Sequence, residues 1–142
     1  MRLGLFVGIL CGSLLFSVSS YAQSSQKNSK QRVQSVALHI ENVSPESALN
    51  CSVANQIRMT NAMLNGGDIA KAKKYAFRSK VWTEVRKSES DKSVKALVDI
   101  LGDGYLLKGI GFEEMRKPSK STVKKAKKVD KKCKKFAQGY KE

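Results

Sequence analysis

The sequence predicts an all-α fold: a small antiparallel four-helix bundle stapled by one disulfide between Cys51 and Cys133. Three observations lead there. From Ser44 onward the apolar residues recur every three or four positions, which is the period of one helix face. Clusters of proline, glycine and serine interrupt that period at helix-length intervals. Two cysteines fall in the first and last of these segments, which lie side by side in an up-down-up-down bundle.

The bundle is preceded by a leader. Met1-Arg2 gives a positive start, Leu3 to Val18 carries no charge, and Ser20-Tyr21-Ala22 ends the run with small residues where a signal peptidase inspects the chain. Residues 1–22 therefore read as a Sec-type signal cleaved after Ala22, which places the mature protein in the periplasm or outside the cell. A retained anchor would need about 20 apolar residues. The run here is shorter and broken by Gly4, Gly8, Gly12 and Ser13. A lipid-modified cysteine would stand at the cleavage point, whereas Cys11 lies inside the apolar run and leaves with the signal.

Residues 23–43 read as a polar leader, free to be disordered, because Gln23 to Gln34 hold no hydrophobic period. Val36 to Ile40 alternate weakly and read as extended. Residues 44–142 form the helical domain. Its first helix starts at Ser44-Pro45-Glu46, a capping serine followed by proline at the first helical position, and runs to about Leu64. Leu49, Val53, Ile57 and Leu64 mark its inner face, with Ala54 beside them and Cys51 at the edge. Asn65-Gly66-Gly67 ends it, since glycine takes the left-handed terminal conformation without strain.

Asp68 caps the second helix, Ile69 to Lys87, whose inner side carries Ile69, Ala72, Ala76, Trp82 and Val85. Ser88-Glu89-Ser90-Asp91 is the next break. A third helix begins near Asp91 and keeps helical spacing to Met115, with a kink or short break expected at Gly102-Asp103-Gly104. Pro118 closes that segment, and Ser119 or Ser121 caps the last helix. Val123, Ala126, Val129, Cys133, Phe136, Ala137 and Tyr140 form its apolar stripe.

Two cysteines in an exported chain usually pair. A loop as long as the one from Cys51 to Cys133 would stabilise the fold by about 4–5 kcal/mol on a chain-entropy estimate. Zinc is not expected. Export leaves two cysteines and the single histidine, His39, with no C-x-x-C or H-x-x-x-H spacing. No cofactor is expected either. Gly102-Asp103-Gly104 lacks the strand before it and the lysine-serine pair after it that a phosphate loop needs.

Charge is the strongest functional signal. The chain holds 27 basic and 12 acidic residues, a net charge of +15, and loss of residues 1–22 removes only Arg2. From Lys117 to Glu142 eleven lysines face only Asp130 and Glu142. Such an excess favours an anionic partner: an acidic protein or an anionic envelope component, with membrane contact at most peripheral. Lys124, Lys128, Lys131 and Lys135 form the candidate anion-binding face. The competing reading is the solvated side of a packed helix. It is favoured by the absence of arginine beyond Arg116 and by Phe136, Tyr140 and Cys133 lying on the apolar stripe. No module for specific nucleic-acid binding is present.

Catalysis is not expected. There is no nucleophile motif, and His39 stands in the leader. The acidic pair Glu113-Glu114 could serve hydrolysis, but adjacent acids on a helix diverge. The sequence thus points to a small exported binding protein. Its candidate roles are a cationic envelope-active protein or an inhibitor or immunity protein for a secreted enzyme, with a weak hydrolase as the remaining alternative. Glycosylation sequons at Asn42 and Asn50 would suit a eukaryotic origin, but such matches are frequent by chance and a bacterial source is expected.

Overall fold

The computed structural model describes residues 13–90, 107, 110–137 and 140. Five helices lie in these residues: α1 (Ser13–Ala37), α2 (Pro45–Gly66), α3 (Ile69–Ser90), α4 (Phe112–Arg116) and α5 (Lys120–Phe136). The protein is therefore small and mostly helical, but its helix count differs from the four predicted. An additional helix, α1, precedes the domain. The predicted third helix falls mostly outside the described residues, together with its Gly102–Gly104 kink, and only the short α4 marks its end.

The chain divides into two units, residues 1–32 and 33–142. In the first, α1 is helical although its sequence lacks an apolar period, and residues 24–32 are exposed along it. In the second, the core begins at Val33 and continues through Ile40 and Val43, so packed structure extends ahead of Ser44. Val36 to Ile40 are not extended. Val36 and Ala37 end the helix, and Ile40 N–H donates to Ala37 O at 3.0 Å to close a turn. Val33, Val36, Ala37 and Ile40 are spaced by helical intervals, and that spacing prevails over the weak alternation.

α2 begins and ends where its sequence says it should. The Ser44 hydroxyl accepts from Ser47 N–H at 3.1 Å, Pro45 occupies the first turn, and Gly67 closes the helix at φ +55°. Asp68 then caps α3 by accepting from Lys71 N–H at 3.0 Å. Contacts between α2 and α3 step in opposite directions along the two helices, Ser52 to Ser79 and Arg58 to Tyr75, which makes them a helical hairpin. The same holds for α2 and α5, where Cys51 meets Cys133 and Arg58 meets Asp130.

The buried face of α2 is the predicted one only in part: Ile57 and Ala54 are buried as expected and Val53 is half-buried. Ala48, Cys51, Ala54 and Ile57 are buried, as are Ser47, Asn50, Ser52 and Asn55. Leu49 and Leu64, placed inside by their spacing, are exposed, and so is Ile69 at the start of α3. The inward arc is centred on Cys51, roughly half a turn from the Leu49–Val53 side at 3.6 residues per turn. Two constraints turn the helix. Cys51 must reach Cys133, and α2 packs against both α3 and α5, which favours small and amide side chains that let helices approach. Ser52 Oγ lies 3.0 Å from Ser79 O, Ser79 Oγ and Thr83 Oγ1, a hydroxyl seam between α2 and α3.

α3 buries Val81, Trp82 and Val85 and continues to Ser90, three residues into the predicted break, with Glu89 one turn beyond Val85 also buried. Ser119 caps α5, its hydroxyl accepting from Thr122 N–H at 3.2 Å. The predicted stripe of α5 is buried at Val123, Ala126, Val129, Cys133 and Ala137, while Phe136, at the edge of that arc, is exposed. The predicted disulfide is present: Cys51 and Cys133 are bonded with their Cα atoms 5.9 Å apart, and both are fully buried.

Candidate anion-binding face and its buried support

α5 sorts its residues by helical angle. Lys124, Lys128, Lys131 and Lys135 recur at intervals of four, three and four, so they share one narrow face, and all four are exposed. That face lies directly opposite Ala126, Val129 and Cys133, which are fully buried. The structure thus brings the candidate lysines together as a continuous outward stripe backed by the disulfide and core. The core fixes which way the stripe points.

A buried polar cluster on the inner side of α5 escaped the sequence reading. Asp130 has no exposed surface, and its Oδ2 accepts from Arg58 Nη1 of α2. Arg78 Nη1 of α3 lies 3.8 Å from the same oxygen. Arg58 also donates to the Tyr75 hydroxyl at 2.6 Å, and its guanidinium carbon sits 4.3 Å from that ring's centre. Arg78 lies 5.3 Å from the Tyr140 ring centre. Burial pushes the Tyr140 phenol far above its usual range, and the negative charge of Asp130 adds to that shift. One carboxylate therefore ties α2, α3 and α5 together at a point one turn from the disulfide.

The signal for this cluster was local. Asp130 keeps the three- and four-residue spacing of Ala126, Cys133 and Ala137, so it belongs to the apolar stripe and not to the lysine face. Arg78 stands four residues before the buried Trp82 in the same manner. Burial also pushes Lys134 on the adjoining flank of α5 below the ordinary lysine range, with the charge of Arg78 next in importance.

Where the α2–α3 turn meets the start of α5, an open groove of about 480 Å³ is lined by Arg58, Asn61, Asn65, Tyr75, Val123 and Lys127, among others. It adjoins a second hollow of about 370 Å³ that adds Lys120 and Lys124. Asn65 donates to Asn61 Oδ1 at 2.7 Å along its rim, and Asp68 is paired with Lys71 at 2.8 Å.

The acidic pair Glu113-Glu114 separates, as adjacent helical residues must. Glu113 is exposed, while Glu114 Oε1 accepts from Ser119 N–H at 2.9 Å and from the Thr122 hydroxyl at 2.5 Å. These bonds, that of Thr122 foremost, hold the Glu114 carboxyl below its ordinary value and fasten α4 to the cap of α5. His39 is exposed and bonds Ser35 O at 2.9 Å within its own turn. Asn50, in one of the sequons, is buried and bonded at both ends of its amide, to Glu46 O at 2.9 Å and Leu107 N–H at 2.6 Å. A glycan on Asn50 is incompatible with that packing.

Among the described residues no group of acidic, histidine or cysteine side chains is placed to hold a metal ion, and no helix is long and apolar enough to cross a membrane. Compared with known protein families, with curated proteins and with solved structures, the chain matches none.

Proposed function

We propose that the protein is exported and acts without catalysis, binding an anionic partner of the periplasm, envelope or extracellular space through the lysine stripe of α5. One observation carries this reading. Lys124, Lys128, Lys131 and Lys135 share an exposed face, and among the described residues no carboxylate is paired with any of them. Charges left uncompensated along about 16 Å of rigid helix (1.5 Å rise per residue) create a field that neutral solvation does not need. An acidic protein and an anionic envelope component both fit that field. Sequence-specific nucleic-acid recognition does not, as lysine offers a point charge without a planar fork.

Export is supported by the order of charge, apolar run and small residues at the N-terminus. Cleavage after Ala22 would cut within α1, ahead of Val33, the first core residue among those described. The oxidising compartment suits the Cys51–Cys133 bond. An antiparallel four-helix course is part of the proposal. So is a Glu114 whose task is to fasten α4 to α5 rather than to move protons.

The test is binding of the exported protein to a soluble polyanion such as heparin. Replacing Lys124, Lys128, Lys131 and Lys135 by glutamine should abolish retention at physiological salt. Unchanged retention would remove the stripe from the binding surface. N-terminal sequencing of the exported protein should begin at Gln23.

A further inference from the structure

We propose that the α2–α3 turn and the start of α5 form an end-on docking surface for an anionic phospholipid bilayer, with Met63, Leu64 and Ile69 entering the headgroup boundary and Lys120, Lys124 and Lys127 holding lipid phosphates. The proposal rests on the reading of α5 as an anion-facing helix and names the partner for one end of it.

Exposed apolar side chains are ordinary when scattered and informative when grouped. Among the described residues the exposed large hydrophobics are Leu38, Leu49, Met63, Leu64, Ile69, Phe112 and Phe136. Three of these seven fall on one turn, where Met63 and Leu64 are 59% exposed and Ile69 63%. Helical spacing would have buried Leu64 and Ile69, but both are exposed at this turn, Leu64 because α2 turns Cys51 inward. The turn between them is open: a Cβ at Gly66 or Gly67 would meet nothing within 4 Å.

The surroundings of this turn supply the complementary charge. Asn61 and Asn65, one turn back on α2, line both hollows together with Lys127 of α5, and Lys120 and Lys124 line the outer one. The three lysines are exposed and spaced by four and three residues, so they rise on one side of α5. The only described acid in the hollows, Asp68, is already paired with Lys71. An apolar tip beside a row of unpaired lysines is the arrangement of a surface that lies on acidic lipid: apolar groups at the acyl boundary, cations at phosphate height. A soluble acidic protein would use the lysines and leave the tip wet.

The experiment uses the protein recovered after export and sediments it with vesicles of phosphatidylglycerol and phosphatidylcholine, or of phosphatidylcholine alone. Binding to the acidic vesicles and not to the neutral ones is expected. The variant K120Q/K124Q/K127Q should weaken it about 100-fold, near five-fold per lysine. The variant M63S/L64S/I69S should weaken it at least about tenfold while leaving heparin binding intact. All six side chains are exposed, so both variants should melt as the parent does; if either does not, Leu64→Ser and Lys127→Gln alone carry the comparison. Vesicle binding indifferent to the tip variant overturns the proposal. A protein that binds heparin but no vesicle overturns it too and leaves the wider anionic reading standing. A protein that binds neither removes both.

Discussion

At the scale of single residues, Asp130 decides more than any lysine around it. A carboxylate with no exposed surface is costly unless its charge is matched, and here Arg58 and Arg78 match it from two other helices. Asp130→Asn keeps the volume and deletes the charge, leaving two guanidinium groups facing an amide. It should cost about 3 kcal/mol in urea unfolding, within the range for breaking a buried ion pair from one side. A loss below about 1 kcal/mol would mean that the pair is solvated. Glu114 gives a prediction in pH. Its carboxyl is held below its ordinary value of 4.5 by Thr122 and Ser119, so the folded state binds its proton less readily than the unfolded state does. Its contribution is therefore fully present above pH 4.5 and is lost as pH falls through the depressed folded value. Between pH 6 and pH 3 the parent should lose more thermal stability than Glu114→Gln, and equal losses would contradict the assigned role. The spacing of Asp130 from Ala126 and Cys133 was a local sign of an interior position, and the sequence reading passed over it. Which cations would meet it from 72 and 52 residues away was not written in any local pattern.

At the scale of elements, ends were legible and faces less so. Ser44, Pro45, Gly67, Asp68 and Ser119 each act within one turn of themselves, and the structure uses each where local chemistry placed it. The buried face of α2 depends on what surrounds it. Its large aliphatics suggested one face, whereas Cys51 and two packed neighbours selected another. α5 was easier to read because its lysines leave a single apolar arc. Two substitutions test the ends. Ser119→Ala should destabilise by about 1 kcal/mol through loss of the cap. Gly67→Ala should cost about 1 kcal/mol through its left-handed backbone, since a Cβ there meets no neighbour. Both are read from the midpoint of urea unfolding monitored by circular dichroism, and a Gly67→Ala protein as stable as the parent would place that turn in another conformation.

At the scale of the whole molecule, the disulfide and the charge distribution belong to one design. The bond links residues 82 apart and holds α5 against α2, so that the lysine stripe can only face outward. Replacing both cysteines by alanine should lower stability by about 4–5 kcal/mol if the unfolded chain is otherwise unconstrained. The stripe should then lose affinity in step with the loss of helix. The proposals of export and of an anionic partner rest on the leader and on the excess of lysine respectively. The apolar tip was hidden, because Leu64 and Ile69 read as core by their spacing whereas both are exposed.

The most direct measurement compares two variants of equal net charge for heparin affinity across a salt titration. One replaces Lys124, Lys128, Lys131 and Lys135 by glutamine. The other replaces Lys27, Lys30, Lys73 and Lys80, which are equally exposed but lie on α1 and α3. A specific stripe predicts that the first loses both affinity and salt dependence while the second stays close to the parent. Equal loss in the two would show that net charge alone drives binding and would contradict a dedicated face on α5.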